Sequence, residues 1–449
     1  MAGTNTSSQF QADIENFIAD EVLDLAQRQL CAYGFGDPLD LPEGRGITYT
    51  ATRFQRLPLP FQPISEGVAP SQGESLTFQQ VTGTCQQWGD LVVITDVAEL
   101  TIKHPLVKQA NMLIGLQSSE TLERNTFNAL NALTQVNYVN SRGSRGALQS
   151  TDVLDSTTVN RTSAMLTNLG APQFNGTEET DVRKDVEAGG GRASDSPRGM
   201  PHYAALIHPF VVGDFANASD VKTAWSYSDI NRLYNFEAGE WRGIRFCQSN
   251  MIPSWTGFAA IAGTAGTAGN LATGTYYVQV TGSDSQNQYE SRIYAVSAGV
   301  AVTGPNGSIS VALPNVPGFT FSVYIGTTAS PQNLGLSTSG PTYGGLTGQA
   351  TQMAGNQTVV ITGTGVAQVP PAAPAAGVTV YPTYVFGRGC YGQVKLRGIE
   401  TAFLMGPDKS DPMNQKRIIS WKVFYATMLL NTQFGARIES SSAITGTFG

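Results

Sequence analysis

"GDLVVITDVAELTIKHPLVKQANMLIGLQSSETLERNTFNAL" runs from Gly89 to Leu130, and its reading decides the architecture. The opening third is rich in β-formers. With the preceding "SLTFQQVTGTCQQW" it predicts a strand pair in which Gly83 and Gly89 are bends. At His104-Pro105 the pattern turns helical, and proline suits a first helical turn because the N–H it lacks would have no partner there. Leu113, Leu116, Glu123, Phe127 and Leu130 carry the helix on to about Val136. A helix of roughly 32 residues spans ~48 Å, enough to cross a domain as a spine.

Upstream of this spine lies "RFQRLPLPFQPISEGVAP", Arg53 to Pro70. Pro58, Pro60, Pro63 and Pro70 each fix φ and remove an N–H, and each pushes the residue before it towards extended geometry. Phe54, Leu57, Leu59, Phe61, Ile64 and Val68 are interleaved with them. The stretch therefore predicts an extended apolar arm, unable to close a sheet of its own, that lies against another surface. Earlier still, Phe10, Ile14, Phe17, Ile18, Val22 and Leu25 fall at helical spacing and predict an amphipathic helix over about residues 10–30.

Downstream, "VNRTSAMLTNLGA" predicts a short helix, "HYAALIHPFVVGDF" a buried strand ending at His208-Pro209, and "GEWRGIRFCQSNMIP" a turn into a strand. The chemistry changes near Gly257. From Ile293 to Gly387 there is no Asp, Glu, Lys or Arg, and segments such as "GPNGSISVALP" and "GFTFSVYIGT" set β-formers between Gly/Pro turns. That texture predicts a β-sandwich inserted over 257–377. Its flanks, "AGTAGTAGN" and "PPAAPAAG", read as a flexible and a stiff tether. Charge returns at Arg388, and "QKRIISWKVFYATMLLNTQFGARIE" forms a long final β segment.

The 449 residues allow two or three domains. Charged residues make up only 14% of them, and the formal net charge of −7 lacks the basic footprint of a chain that grips phosphates. Cys31, Cys85, Cys247 and Cys390 match no metal or disulfide spacing, so free thiols in a reducing compartment are expected. The N-terminus has no basic and apolar leader, and no apolar run approaches the ~18 residues of a membrane helix. Synthesis as a soluble protein in the cytoplasm, without membrane association, is the expectation.

No catalytic constellation emerges. There is no G-x-S-x-G elbow and no paired-histidine metal spacing, and no cysteine sits beside His104, His202 or His208. "GRGCYG" (Gly387, Gly389, Gly392) matches a dinucleotide fingerprint, but the strand-like "QVKLRGIETAF" follows where a helix is needed, so a bent strand is expected. "RLPLP" resembles an adaptor-domain ligand, but its surroundings are apolar. Arg142/Arg145 and Arg183/Lys184 lie in Gly-rich loops and read as solvated loop charge, with nucleic acid or a neighbouring subunit as the sharper alternative. No catalytic residue, cofactor or metal is assigned, and the chain reads as a non-enzyme.

The arm, the stretch "GDLVVITDVAELTIKHPLVKQA" and the helix "LQSSETLERNTFNAL" together resemble the opening of tailed-bacteriophage major capsid proteins, the N4-like group in particular. "HYAALIHPF", "GEWRGIRFCQS", "YVFGRGCYGQVKL" and "ISWKVFYATMLLN" follow in that family's order, covering about 1–256 and 380–440. The indole of Trp241 departs from the family's pattern.

The resemblance implies an α+β protein with the Hong Kong-type phage capsid fold. Its parts would be an N-terminal arm and helix (1–44), an extended loop (45–80), a first part of the peripheral and axial domains (81–256) with the long spine helix, and a second part (378–449). Between the last two sits the insertion (257–377), immunoglobulin-like and outward facing. The extended loop would lie on a neighbouring copy, making Phe54, Arg56, Leu57, Leu59, Phe61 and Ile64 inter-subunit contacts. The implied function is self-assembly, as hexamers and pentamers, into the icosahedral head shell of a virion. Such a shell encloses double-stranded DNA without binding it specifically, and portal, scaffold and decoration proteins are further partners. The competing reading is a carbohydrate- or surface-binding β-sandwich protein on a helical scaffold.

Overall fold

The structure is a computed structural model that describes residues 30–59, 75–102, 106–174, 201–216, 222–223, 237–284, 289–331, 334–337, 353–363, 365–366, 369–404, 413 and 415–444. The helix expected over residues 10–30 lies outside these, apart from its last residue. Two compact units divide the chain. One comprises Met1–Arg28, Gln87–Ser119 and Arg397–Phe424, and the other Gln29–Gln86, Glu120–Leu396 and Tyr425–Gly449.

In the smaller unit the strand Gln86–Thr95 lies beside the strand Lys416–Leu429, which in turn neighbours Tyr391–Leu404. A Cβ on Gly89 would lie 2.5 Å from the Trp421 carbonyl oxygen, so glycine here serves close strand approach. Gly83 and Gly89 thus stand on two strands that do not pair with each other: Phe78–Thr84 pairs with Thr48–Phe54 instead. The expected local strand pair is replaced by two long-range pairings. The helix Asp96–Thr101 follows, its Thr95 Oγ1 accepting the Ala98 N–H at 3.3 Å. Trp421 Nε1 donates to Gln117 Oε1 at 3.0 Å, and Gln117 Nε2 donates to Asp90 Oδ2 at 2.6 Å, fixing helix to sheet.

The long helix is Leu106–Leu130, 25 residues and ~37 Å. It stops before Val136 because Ala132 and Leu133 turn back with N–H bonds three residues along, to Ala129 and Leu130. Val136–Tyr138 then pairs in parallel with Arg437–Glu439, a sheet contact that overrides helical propensity.

The larger unit is organised on Thr379–Phe386. One edge of that strand pairs along its length with Gly435–Ser440; the other pairs with Trp255–Phe258 at its start and Tyr203–Ile207 at its end. All five residues of "YAALI" are buried, which explains a run without alternation. Pro209 then opens the helix Pro209–Ala216. Glu237–Trp241 and Ile244–Gln248 form a hairpin whose two turn residues, Arg242 and Gly243, both have positive φ (50° and 70°). Trp241, 8% exposed, packs into the core with Phe246 and Phe215, which places the indole that the sequence left unassigned. The short helix falls at Ser156–Asn168, its Asp155 Oδ1 accepting the Thr158 N–H.

Within the same unit the insertion is built of two sheets around one core. Gly263–Leu271, Gly307–Ala312 and Thr358–Ile361 form the first; Gly274–Asp284, Glu290–Tyr294 and Phe319–Gly326 lead the second. Val278, Val280, Ile309, Val311, Phe321, Val323 and Ile361 are buried between them. "AGTAGTAGN" is therefore a strand of the sandwich and not a tether: its glycines and alanines allow the approach to Gly307 and Ser308, where a Cβ on Gly269 would lie 2.3 Å from the Gly307 oxygen. "PPAAPAAG" is a bonded strap. Its Pro371 and Ala372 carbonyls accept from Gln279 Nε2 (3.3 Å) and Arg145 Nη1 (3.2 Å).

The chain leaves and re-enters at one place, where Gly257 N–H donates to Val378 O and Gly377 N–H to Gly257 O, both at 2.9 Å. Trp255–Phe258 also pairs in parallel with Glu290–Tyr294, so one sheet passes without a break into the insertion.

His208, in the same unit, lies 4.6 Å from the Tyr381 ring and 5.0 Å from Phe210. Burial lowers its pKa to about 4. The unfolded chain takes up this proton near pH 6.5 and the folded one only near 4, so stability is lost as pH falls through that window. Between pH 7 and pH 5 the loss from this group is about 2 kcal/mol. Urea midpoints at the two pH values are expected to differ accordingly, and His208→Gln should flatten the difference. An unchanged pH dependence in that variant counts against the assignment.

Candidate functional site

Thr48–Phe54 and Phe78–Thr84 make a two-stranded antiparallel ribbon, in register from Thr48 opposite Thr84 to Phe54 opposite Phe78. Of the stretch Arg53–Pro70, Arg53 and Phe54 pair in this ribbon, which corrects the expectation that the arm closes no sheet at those two residues; residues 60–70 lie outside the described residues. Pro58, the first of the prolines, lies beyond the last paired residues and so does not interrupt the ribbon. At the root, Tyr49, Ala51 and Val81 pack against Leu41, Cys85, Val394 and Met428. Towards the tip the apolar side chains have no such cover. Phe54 is 65% exposed, Leu57 49%, Leu59 91%, Leu76 68% and Phe78 58%. Phe54 and Phe78 meet edge to face at 6.4 Å, and Arg53 donates to Gln79 Oε1 across the ribbon at 2.6 Å.

An isolated two-stranded ribbon is marginal in water, and large exposed apolar side chains stand at the described end of this one. Of the six contact residues expected from sequence, Phe54 lies at the end of the ribbon and Arg56, Leu57 and Leu59 on its extension, all exposed. Phe61 and Ile64 lie outside the described residues.

Burial pushes the thiols of Cys247 and Cys390 up to about 12, far from thiolate character at neutral pH. All four cysteines are free thiols. Reductant is expected to leave the melting temperature unchanged, and iodoacetamide to modify Cys85, Cys247 and Cys390 only after denaturation. Quantitative labelling of the native chain, or a gel shift without reductant, would contradict this. Among the described residues no group of three His, Cys, Asp or Glu side chains is placed to hold a metal, and no helix is long and apolar enough to cross a membrane. "GRGCYG" leads into the strand Tyr391–Leu404, with Gly389 at φ 75° in the turn, as a bent strand requires.

The loop arginines are corrected by the structure. Arg145 is buried, not solvated. Its Nε and Nη2 donate to Glu439 at 2.7 and 2.6 Å, and its guanidinium carbon lies 3.8 Å from the Trp255 ring centroid. Arg437 Nε reaches the same carboxylate at 2.9 Å. Arg142 pairs with Asp152 at 2.8 Å, and Arg183 and Lys184 lie outside the described residues. A second buried carboxylate, Glu123, accepts the N–H groups of Cys31, Ala32 and Tyr33 at 2.7–2.8 Å and so ties the chain before the ribbon to the long helix. Burial pushes its pKa up against the pull of those three donors. Sequence reasoning missed both carboxylates. The available signal was the i, i+2 spacing of Arg437 and Glu439, which puts them on one face of a strand.

Neither a protein-family model nor a characterised protein's sequence matches the chain. Solved phage capsid structures align with it along most of its length. The capsid of Ralstonia phage GP4 aligns with a TM-score of 0.52 at 9% identity, covering 96% of this chain and 96% of that one. The capsid of Cyanophage P-SCSP1u gives 0.47 at 10% identity, over 98% and 96% of the two chains. That of Helicobacter pylori bacteriophage KHP30 gives 0.47 at 8%, over 98% of each. The fold is established by the Ralstonia phage structure: this chain has the α+β fold of that capsid chain.

Proposed function

We propose that the chain is a major capsid protein, many copies of which close into the icosahedral head shell of a tailed phage. The observation that carries this reading is a fold coextensive with a phage capsid chain over 96% of both. On this reading the organisation is the Hong Kong type, and the order of the sequence motifs favours the N4-like group. The ribbon is the extended loop, and its exposed apolar tip lies on the next subunit within hexamers and pentamers. Heterologous contacts of this kind generate closed shells when their rotation closes. The formal charge of −7 suits an interior that encloses double-stranded DNA without gripping it. The function is structural and not enzymatic, and the site of action is the virion.

Expression of the full chain, followed by sedimentation and negative-stain imaging, tests this directly. Closed particles of megadalton size are expected. A stable monomer would sink the reading and turn attention to a surface-binding β-sandwich protein. The insertion, immunoglobulin-like on this reading, faces outward, and cryo-EM of such shells is expected to show its density projecting from the outer surface. Density on the inner face would overturn that placement.

A further inference from the structure

The first half of the long helix is apolar on two sides. Ala110 and Ile114 are buried on the side where Gln117 holds Trp421, which is the side of the sheet. Away from that side Met112 is 51% exposed and Leu113 46%, with Leu116 half-buried. Between them a Cβ on Gly115 would meet nothing within 4 Å. Ser119 turns its hydroxyl back onto the Gly115 carbonyl at 3.2 Å, so its polar atom is satisfied within the helix. A helix apolar on both sides is one that is covered on both sides.

The chain itself is fixed on the uncovered side. Met112, Leu116, Ser119 and Glu123 are spaced i, i+4, i+7 and i+11, and so share one face. Glu123 accepts the N–H groups of Cys31, Ala32 and Tyr33 at 2.7–2.8 Å, so the chain is held to this face directly after Leu30. The residues before it lie outside the described ones, and their sequence carries the complementary pattern: Phe10, Ile14, Phe17, Ile18, Val22 and Leu25 at helical spacing. From Glu123 back to Met112 is ~16 Å along the helix axis, whereas residues 10–28 as a helix extend ~28 Å. The segment is long enough to run past Met112 towards the start of the long helix. Tethered at Cys31, it meets the face at an effective concentration of about millimolar, which favours it over a second copy of the chain.

We propose that residues 10–28 of the same chain lie as a helix along this face. Their apolar stripe closes over Met112, Leu113 and Leu116, and Gly115 gives room for close approach. The contact is made within one chain and does not depend on assembly into a shell.

The test places the photo-cross-linker p-benzoylphenylalanine at Met112 of the full chain. Light and isotopically heavy chains are mixed before assembly, and the cross-links are located by mass spectrometry. Cross-links into residues 10–28 are expected, with both peptides drawn from the same isotopic population. Mixed-isotope pairs would assign the face to a second copy, and cross-links elsewhere, or none, would leave the segment undocked; each of these overturns the proposal. Gly115→Gln gives a second reading through its sign. On a bare helix face the substitution favours the helix and raises Tm, since no atom stands within 4 Å of the new Cβ. Beneath a docked segment the longer side chain forces the two helices apart, and Tm is expected to fall by about 2–4 °C. A rise in Tm for this variant overturns the proposal.

Discussion

Leu57→Asp combined with Leu59→Asp is expected to yield a subunit that folds normally and no longer forms shells. Leu57 is 49% exposed and Leu59 91% exposed in the single chain, so their replacement costs the fold little, within about 0.5 kcal/mol. In the assembly each leucine would bury its apolar surface, worth ~1.5–3 kcal/mol per side chain. An aspartate forced into the same contact loses that term and adds the desolvation of a carboxylate. The penalty recurs at every copy of a repeating contact, so a lattice of many subunits multiplies a modest local defect into a complete loss. Circular dichroism melts should superpose on the parent, and sedimentation should show only small species. Particles of normal size from the double variant would show that the ribbon tip is not a contact.

Glu439→Ala is expected to be the most damaging single substitution for the folded subunit. Glu439 is fully buried, and the side chains facing it, Arg145 and Arg437, are 8% and 11% exposed. Removing the carboxylate leaves two guanidinium groups close together without a counter-charge, at a cost of about 3–5 kcal/mol. Arg145→Ala should be milder, because Arg437 remains on the carboxylate, although the stacking on Trp255 and the bond to the strap are lost. Glu439→Gln keeps hydrogen-bond acceptance without charge and should fall between the two. Denaturant midpoints at pH 7 rank the three variants. A loss below about 1 kcal/mol for Glu439→Ala would show that the cluster is not what holds these elements together.

Much of the fold was legible because it rests on local periodicity. The spine helix, the buried "YAALI" strand and the turn at "GEWRG" each carry a pattern that needs no distant partner to be recognised. Pairing across long sequence separations was not legible. Phe78–Thr84 reads as a strand, but nothing in it says that its partner is Thr48–Phe54 and not the strand that follows. The low-complexity "AGTAGTAGN" looks like a flexible linker for the same reason: small residues signal either freedom or close approach, and only the neighbouring strand decides which.

The ribbon residues could be picked out because prolines and apolar side chains are an unusual mixture. The charged cluster could not be. Arg145 in a Gly-rich loop resembles any solvated arginine until Glu439, almost three hundred positions away, is brought against it.

The strand Trp255–Phe258 belongs at once to the body of the larger unit and to the insertion. A knob hung from linkers would swing and yield when pulled. Here the strand that leads into the insertion pairs on one edge with Thr379–Phe386 of the body and on the other with Glu290–Tyr294 of the insertion, so the two parts share main-chain hydrogen bonds. Swinging of the insertion as a free knob would require those shared hydrogen bonds to break, so its orientation is set by the sheet and not by a linker.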